Sequence, residues 1–128
     1  MESRADLVLA VVGLLLVKHF LFDFVLQTRF QRANKSVYGH PGGLLHAGLH
    51  VLGTTSVFLI VMPPAGPAAI ILGAEFLAHY HIDWIKEQVL RRAHWGPADS
   101  RFWAILGGDQ LLHGLGYLAI AWALAISA

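Results

Sequence analysis

Four pairs of metal-ligand residue types stand four positions apart along the chain. They are His19 and Asp23, His46 and His50, His79 and Asp83, and Asp109 and His113. In an α-helix, positions i and i+4 lie one above the other on one face. Each pair can therefore present two side chains to one metal or to two adjacent metals, as in the core sites of soluble helical bundles. Aspartate with histidine suits zinc, iron or manganese, whereas magnesium and calcium prefer shells made of oxygen. The expected cofactor is one or two divalent transition ions, zinc first.

The elements that must carry these pairs are long and apolar. Hydrophobic residues make up 56% of the 128 and charged residues only 13%, about half the charge of an ordinary soluble domain. A spanning helix needs roughly 20 mostly apolar residues. Segments near Asp6–Gln27, Leu44–Met62, Pro67–Leu90 and Phe102–Ala128 qualify, one pair in each. Turn-forming residues separate them: Gly39, Pro41, Gly42 and Gly43; then Pro63-Pro64-Ala65-Gly66-Pro67; then Gly96, Pro97, Asp99 and Ser100, of which Asp99 or Ser100 suits a helix N-cap. The expected fold is all-α: one domain over residues 1–128, an antiparallel bundle of four transmembrane helices. The run Leu7–Val17 resembles a signal-peptide core in length, but Lys18-His19 and more apolar sequence follow it, so it reads as a retained first helix.

Cations set the expected orientation. Arg29, Arg32 and Lys35 lie in the first connection and Lys86, Arg91, Arg92 and Arg101 around the third, while the opposite side has only Arg4. This places the first and third connections in the cytoplasm and both termini outside it. Counted from the outer end at ~1.5 Å per residue, His19, His50, His79 and His113 fall roughly 18–21 Å deep and Asp23, His46, Asp83 and Asp109 roughly 24–27 Å deep. Two stacked tiers follow. Glu75, one turn from His79, adds a carboxylate above them and is the candidate general base. Gln27, one turn from Asp23, is placed to cap the lower tier.

Ionisable groups inside a membrane are costly and mark function. The bland alternative is a structural Asp–His network tying the helices together. Lys18 reads equally as a snorkelling cation and as a group acting at the site, Lys86 as a snorkelling cation near the cytoplasmic boundary, His40 and His94 as solvated loop residues, and His81, about 200° from His79 around the helix, as a lipid or neighbour contact. Trp84, Trp95 and Trp103 fit an interfacial belt. Thr54, Thr55 and Ser56 lie away from the tiers. There is no G-x-S-x-G, P-loop or H-E-x-x-H motif and no cysteine, and a net charge of +1 offers nothing to nucleic acid. His-x-x-x-Asp followed by an aromatic occurs twice, at His19–Phe24 and His79–Trp84, which suggests two helical hairpins related by a pseudo-two-fold axis.

The ordered motifs K-H-F-x-x-D-F-x-L-Q, L-x-H-x-x-x-H, H-x-x-I-D-W-x-K and D-Q-x-x-H, running through nearly the whole chain, resemble a family of short bacterial membrane proteins catalogued as domain of unknown function 3307. The resemblance implies a membrane location, for a bacterial chain the inner membrane, and no established activity. A looser likeness to membrane proteins described as metal-dependent hydrolases is one of analogy. The expected function is a membrane-embedded metal-dependent hydrolase acting near the cytoplasmic side, on a lipid or a phosphate-containing substrate. The alternatives are a di-iron-type oxidoreductase, a metal or proton transporter, and a metal-stabilised structural subunit. Membrane lipids are the expected partners, and oligomeric state is not legible.

Overall fold

A computed structural model describes residues 3–127. Helices α1 (Arg4–Phe20), α2 (Arg29–Asn34), α3 (Pro41–Val61), α4 (Ala65–Ala93) and α5 (Ser100–Ser127) make up the described chain, with a π-helical turn at Leu21–Val25 closing α1. The four long helices form a ring in which α1 packs on α3, α3 on α4, α4 on α5 and α5 back on α1. Neighbours run antiparallel, since Lys86 meets Asp109 and Asp83 meets His113 across α4 and α5. Helices α1 with its π turn, α3 and α5 are long and apolar enough to cross a membrane. Helix α4 has the length, with 29 residues, but Glu75, His79, His81 and Asp83 lower its apolarity.

Local chemistry explains the ends. Ser3 and Asp6 form a reciprocal capping box before α1. Thr28 caps α2 through the Gln31 amide. The Asp99 carboxylate accepts from the Arg101 amide at 2.9 Å, so Asp99 is the cap of α5. The Pro-rich segment is shorter as a link than its composition suggests. Helix α4 already starts at Ala65, and Pro67 sits in its first turn, where a missing N–H removes no intrahelical bond.

At the end of the bundle that holds the termini, Val11, Leu15, Val57, Phe58, Ile120 and Leu124 form the apolar core. Polar side chains fill the opposite half. There the two halves of the chain differ. The first connection folds into α2, a helix absent from the sequence reading, and α1 ends in the π turn, while α4 runs unbroken. The repeated His-x-x-x-Asp pattern therefore sits in two unlike backbones.

Candidate metal centre

Helices α1, α3, α4 and α5 each deliver their pair inward. The rings of His19, His50, His79 and His113 gather with centroids 3.8–5.9 Å apart in every pair except His50 with His113. His46 lies 4.7 Å from His50 and 5.1 Å from His79. Below them are the carboxylates. Asp23 meets His19 Nε2 at 3.1 Å, His46 Nε2 at 2.9 Å and His50 Nε2 at 3.1 Å. Asp83 meets His46 at 3.2 Å, His113 at 3.3 Å and His79 at 3.5 Å. Asp109 lies 3.5 Å from His113. All eight residues singled out by spacing thus come together. Their donor atoms form three overlapping sets, each within 4.8 Å: Asp23 with His46, His50 and His79; His19 with His79 and His113; and Asp83 with Asp109 and His113.

The backbone helps at Asp23. It sits in the π turn, where Leu26 N–H donates to Leu21 O five residues back. One residue more per turn re-aims the side chain, a device concentrated at functional sites. Asp23 consequently reaches three histidines on two helices.

The donor chemistry tests whether a cation fits. Several buried atoms in this cluster have no hydrogen-bond partner, among them His46 Nε2, His50 Nδ1, both ring nitrogens of His79 and Asp109 Oδ1. Leaving one buried polar atom unsatisfied costs about 1–3 kcal/mol. His46 Nδ1 lies 3.2 Å from Gln31 Oε1, the side-chain amide oxygen, and 3.4 Å from Gln27 Nε2. The nearer contact, an acceptor, favours N–H at Nδ1 and a bare Nε2, the arrangement that orients a metal-ligating imidazole. That bare nitrogen faces two carboxylates. A cation between them resolves the repulsion, so the residues present fit a divalent ion.

Three lysines also enter the site; the sequence left Lys18 open and gave no such role to Lys35 or Lys86. Lys18 is buried, not snorkelling: its ammonium donates to Glu75 at 2.7 Å, Thr54 at 3.1 Å and the His50 carbonyl at 3.2 Å. Lys35, at the C-terminal cap of α2, is 5% exposed and lies 2.7 Å from Asp83. Lys86 bridges Asp109 at 3.4 Å and Asp83 at 3.7 Å. With neutral histidines, the four carboxylates and three lysines leave one net negative charge in the bundle.

Glu75 stands above the histidines, as its position one turn from His79 predicts. Its Oε1 is held by Lys18 and by Thr54 at 2.8 Å, while Oε2 has no partner. Thr54 is fully buried in this network and belongs to the site after all. Tyr117 and Gln110 were also missed, at 2.8 Å and 2.9 Å from the two nitrogens of His19. Tyr117 had a legible signal, since it continues the Asp109–His113 face by one more turn. His81 makes the neighbour contact expected of it, 3.0 Å from the Tyr38 hydroxyl. Trp103 is 57% exposed, and Trp95 lies under the Arg101 guanidinium.

The family model described as Protein of unknown function (DUF3307) matches residues 11–128. The chain belongs to this family. The matched span contains all eight clustered ligand-type residues and Glu75. No curated protein and no solved structure matches the chain.

Proposed function

We propose that this chain is a membrane protein crossing four times, that its His/Asp cluster binds one or two divalent transition metals, zinc first, and that the centre performs metal-dependent hydrolysis. One observation carries the reading. Imidazole nitrogens and carboxylate oxygens from the four long helices converge in three overlapping sets, each within 4.8 Å and each drawing on two or three helices, and several of them lack hydrogen-bond partners. His19, Asp23, His46, His50, His79, Asp83, Asp109 and His113 supply the ligands. A divalent ion there contributes Lewis acidity toward an ester or phosphate oxygen and makes water more acidic. The residues of the chain do the rest. Gln31 and Asp23 orient His46, and Lys18 with Thr54 holds Glu75 by Oε1 and leaves Oε2 without a partner, the oxygen that serves as the base. The substrate class is a lipid or a phosphate-containing molecule reached near the cytoplasmic side.

A path through the bundle finds less support. The end that holds the termini is closed by Val11, Leu15, Val57, Phe58 and Leu124, each no more than 6% exposed, which disfavours transport. Iron at the same ligands gives the oxidoreductase alternative; bundle di-iron sites use Glu-x-x-His at i, i+3, a spacing that none of the four pairs here has. The near balance of four carboxylates by three lysines favours one second reading, a metal-free charge network that holds the helices together.

Turnover separates these readings. Protein purified in detergent and loaded with zinc, then manganese, then iron, is assayed on ester and phosphodiester lipids. Hydrolysis that stops on chelation and in Asp109→Ala supports the enzyme. Bound metal with no turnover of any lipid contradicts the hydrolase reading, and zinc uptake into proteoliposomes would replace it with transport.

A further inference from the structure

A cavity of about 300 Å³ lies in the seam between α4 and α5, at the low end of the roughly 300–1,000 Å³ range of ligand pockets. Its rim is exposed and, apart from Leu112, made of small residues: Ala74, Ala78, Gly116 and Ala119. Its floor is buried and polar: Glu75, His79, His113 and Tyr117. No charged residue stands at the rim. The surface around it is hydrocarbon-like, with Leu77, Leu112, Leu115 and Trp122 each at least half exposed. The cleft therefore joins the outer apolar face of the bundle to the histidine cluster sideways, without passing either end.

The floor calls for a ligand. His79 is 2% exposed, yet neither ring nitrogen has a hydrogen-bond partner, and Glu75 Oε2 has none. These are the polar groups at the bottom of the cleft. Its apolar length runs from them toward the end holding the termini, past Ala119 and Ile120 to Ile71 and Ala123. A molecule filling it has a polar link at His79 and His113 and one apolar chain pointing away from the connections α1–α3 and α4–α5. A cleft of this volume takes part of one chain, not a two-chain lipid.

We propose that the α4–α5 cleft is a lateral entry and chain-binding site for a membrane lipid, one hydrocarbon chain lying in the seam and its ester or phosphate link reaching the histidine cluster. The proposal rests on the metal-centre reading for what happens at that link, but binding of the chain is measured separately. The seam is made by Gly116, Ala78 and Ala119, whose small side chains leave the two helices a gap where leucines would close it. A Cβ built at Gly116 meets nothing within 4 Å, so a side chain there enters the cleft without moving the backbone. Gly73 on α4 is also exposed and unhindered, and lies outside the cleft.

The test uses the whole protein in mixed micelles of detergent and dioleoyl phosphatidylglycerol, with lipid retained after detergent washing counted by native mass spectrometry. Metal content is read on the same samples. Wild type and Gly73→Phe are expected to retain a lipid; in Gly116→Phe retention falls at least about tenfold, because the ring occupies the chain's volume. Metal content stays equal in all three. Glycerol phosphate and short-chain dihexanoyl phosphatidylglycerol, which keep the phosphate but lack the long chain, should not displace the lipid. Equal retention in Gly116→Phe and wild type, no retention in wild type, or displacement by glycerol phosphate overturns the proposal. Metal-free protein that still loses lipid in Gly116→Phe would overturn the metal reading alone.

Discussion

Two aspartates carry most of the connectivity, and they do different work. Asp23 gathers His19, His46 and His50, while Asp83 gathers His46, His79 and His113 together with Lys35 and Lys86. Asp23→Ala removes the carboxylate common to three imidazoles. Since even outer partners of a metal ligand are worth about 10–100-fold in affinity, bound metal should fall at least about tenfold in that variant, as measured by elemental analysis. Asp83→Ala has a further effect, because it strips Lys35 of its 2.7 Å partner. Breaking a buried ion pair costs about 3–5 kcal/mol, so its thermal unfolding midpoint in detergent should drop well below that of Asp23→Ala. A midpoint equal in the two variants would contradict the role given to Lys35. The i, i+4 spacing made all eight ligand-type residues legible, because one helix face fixes where both members of a pair point. Lys18, Lys35 and Lys86 were not legible in this way. A lysine's long stem lets its ammonium reach a site or leave it, and only the packed neighbours decide which.

At the scale of elements, α2 is the part that spacing could not supply. It has six residues, too few to show a periodic face, yet it brings Gln31 to His46 and Lys35 to Asp83. Its seat on α3 depends on Gly42. A Cβ there would stand 2.7 Å from the Phe30 backbone oxygen, which cannot swing aside as a side chain can. Gly42→Ala should therefore displace α2 and cost roughly 1–3 kcal/mol, as overpacking does. Gly48→Ala on the same helix has open space around it and should be neutral or stabilising by up to about 1 kcal/mol. Thermal melts of the two variants in one detergent check the pair; equal midpoints would mean that α2 is not held by that contact. Gly53 makes a second close approach, with Lys18 Cγ at 2.6 Å from a built Cβ. Gly53→Ala should push the Lys18 stem away from Glu75 and lower the midpoint in the same way. The π turn was equally hidden, since nothing in L-F-D-F-V distinguishes hydrogen bonds five residues back from the four-back bonds of the ordinary helix before it.

Across the whole molecule, the division into an apolar half and a polar half was readable from where the ionisable residues stop. The positions Leu7–Val17 and Leu115–Ala128 hold no Asp, Glu, Lys, Arg or His, and their described residues form much of the apolar core. Helix α4 is the long helix whose crossing stays a proposal, because the residues that build the cluster, Glu75, His79 and Asp83, also lower its hydropathy. A reporter enzyme active only outside the cytoplasm, fused after Ala128, should be active, and the same reporter inserted between His94 and Gly96 should be silent. The reverse pattern would invert the orientation proposed from Arg29, Arg32, Arg91 and Arg92. The claim on which the rest depends is that the clustered imidazoles and carboxylates hold a metal. Elemental analysis of detergent-purified wild type beside the double variant Asp23→Ala with His79→Ala tests it most directly. The account predicts at least about one equivalent of a divalent transition metal per wild-type chain and a near-complete loss in the variant. Wild-type protein that stays metal-free after incubation with zinc, manganese and iron would contradict it, and the cluster would then be a charge network closed by its own lysines.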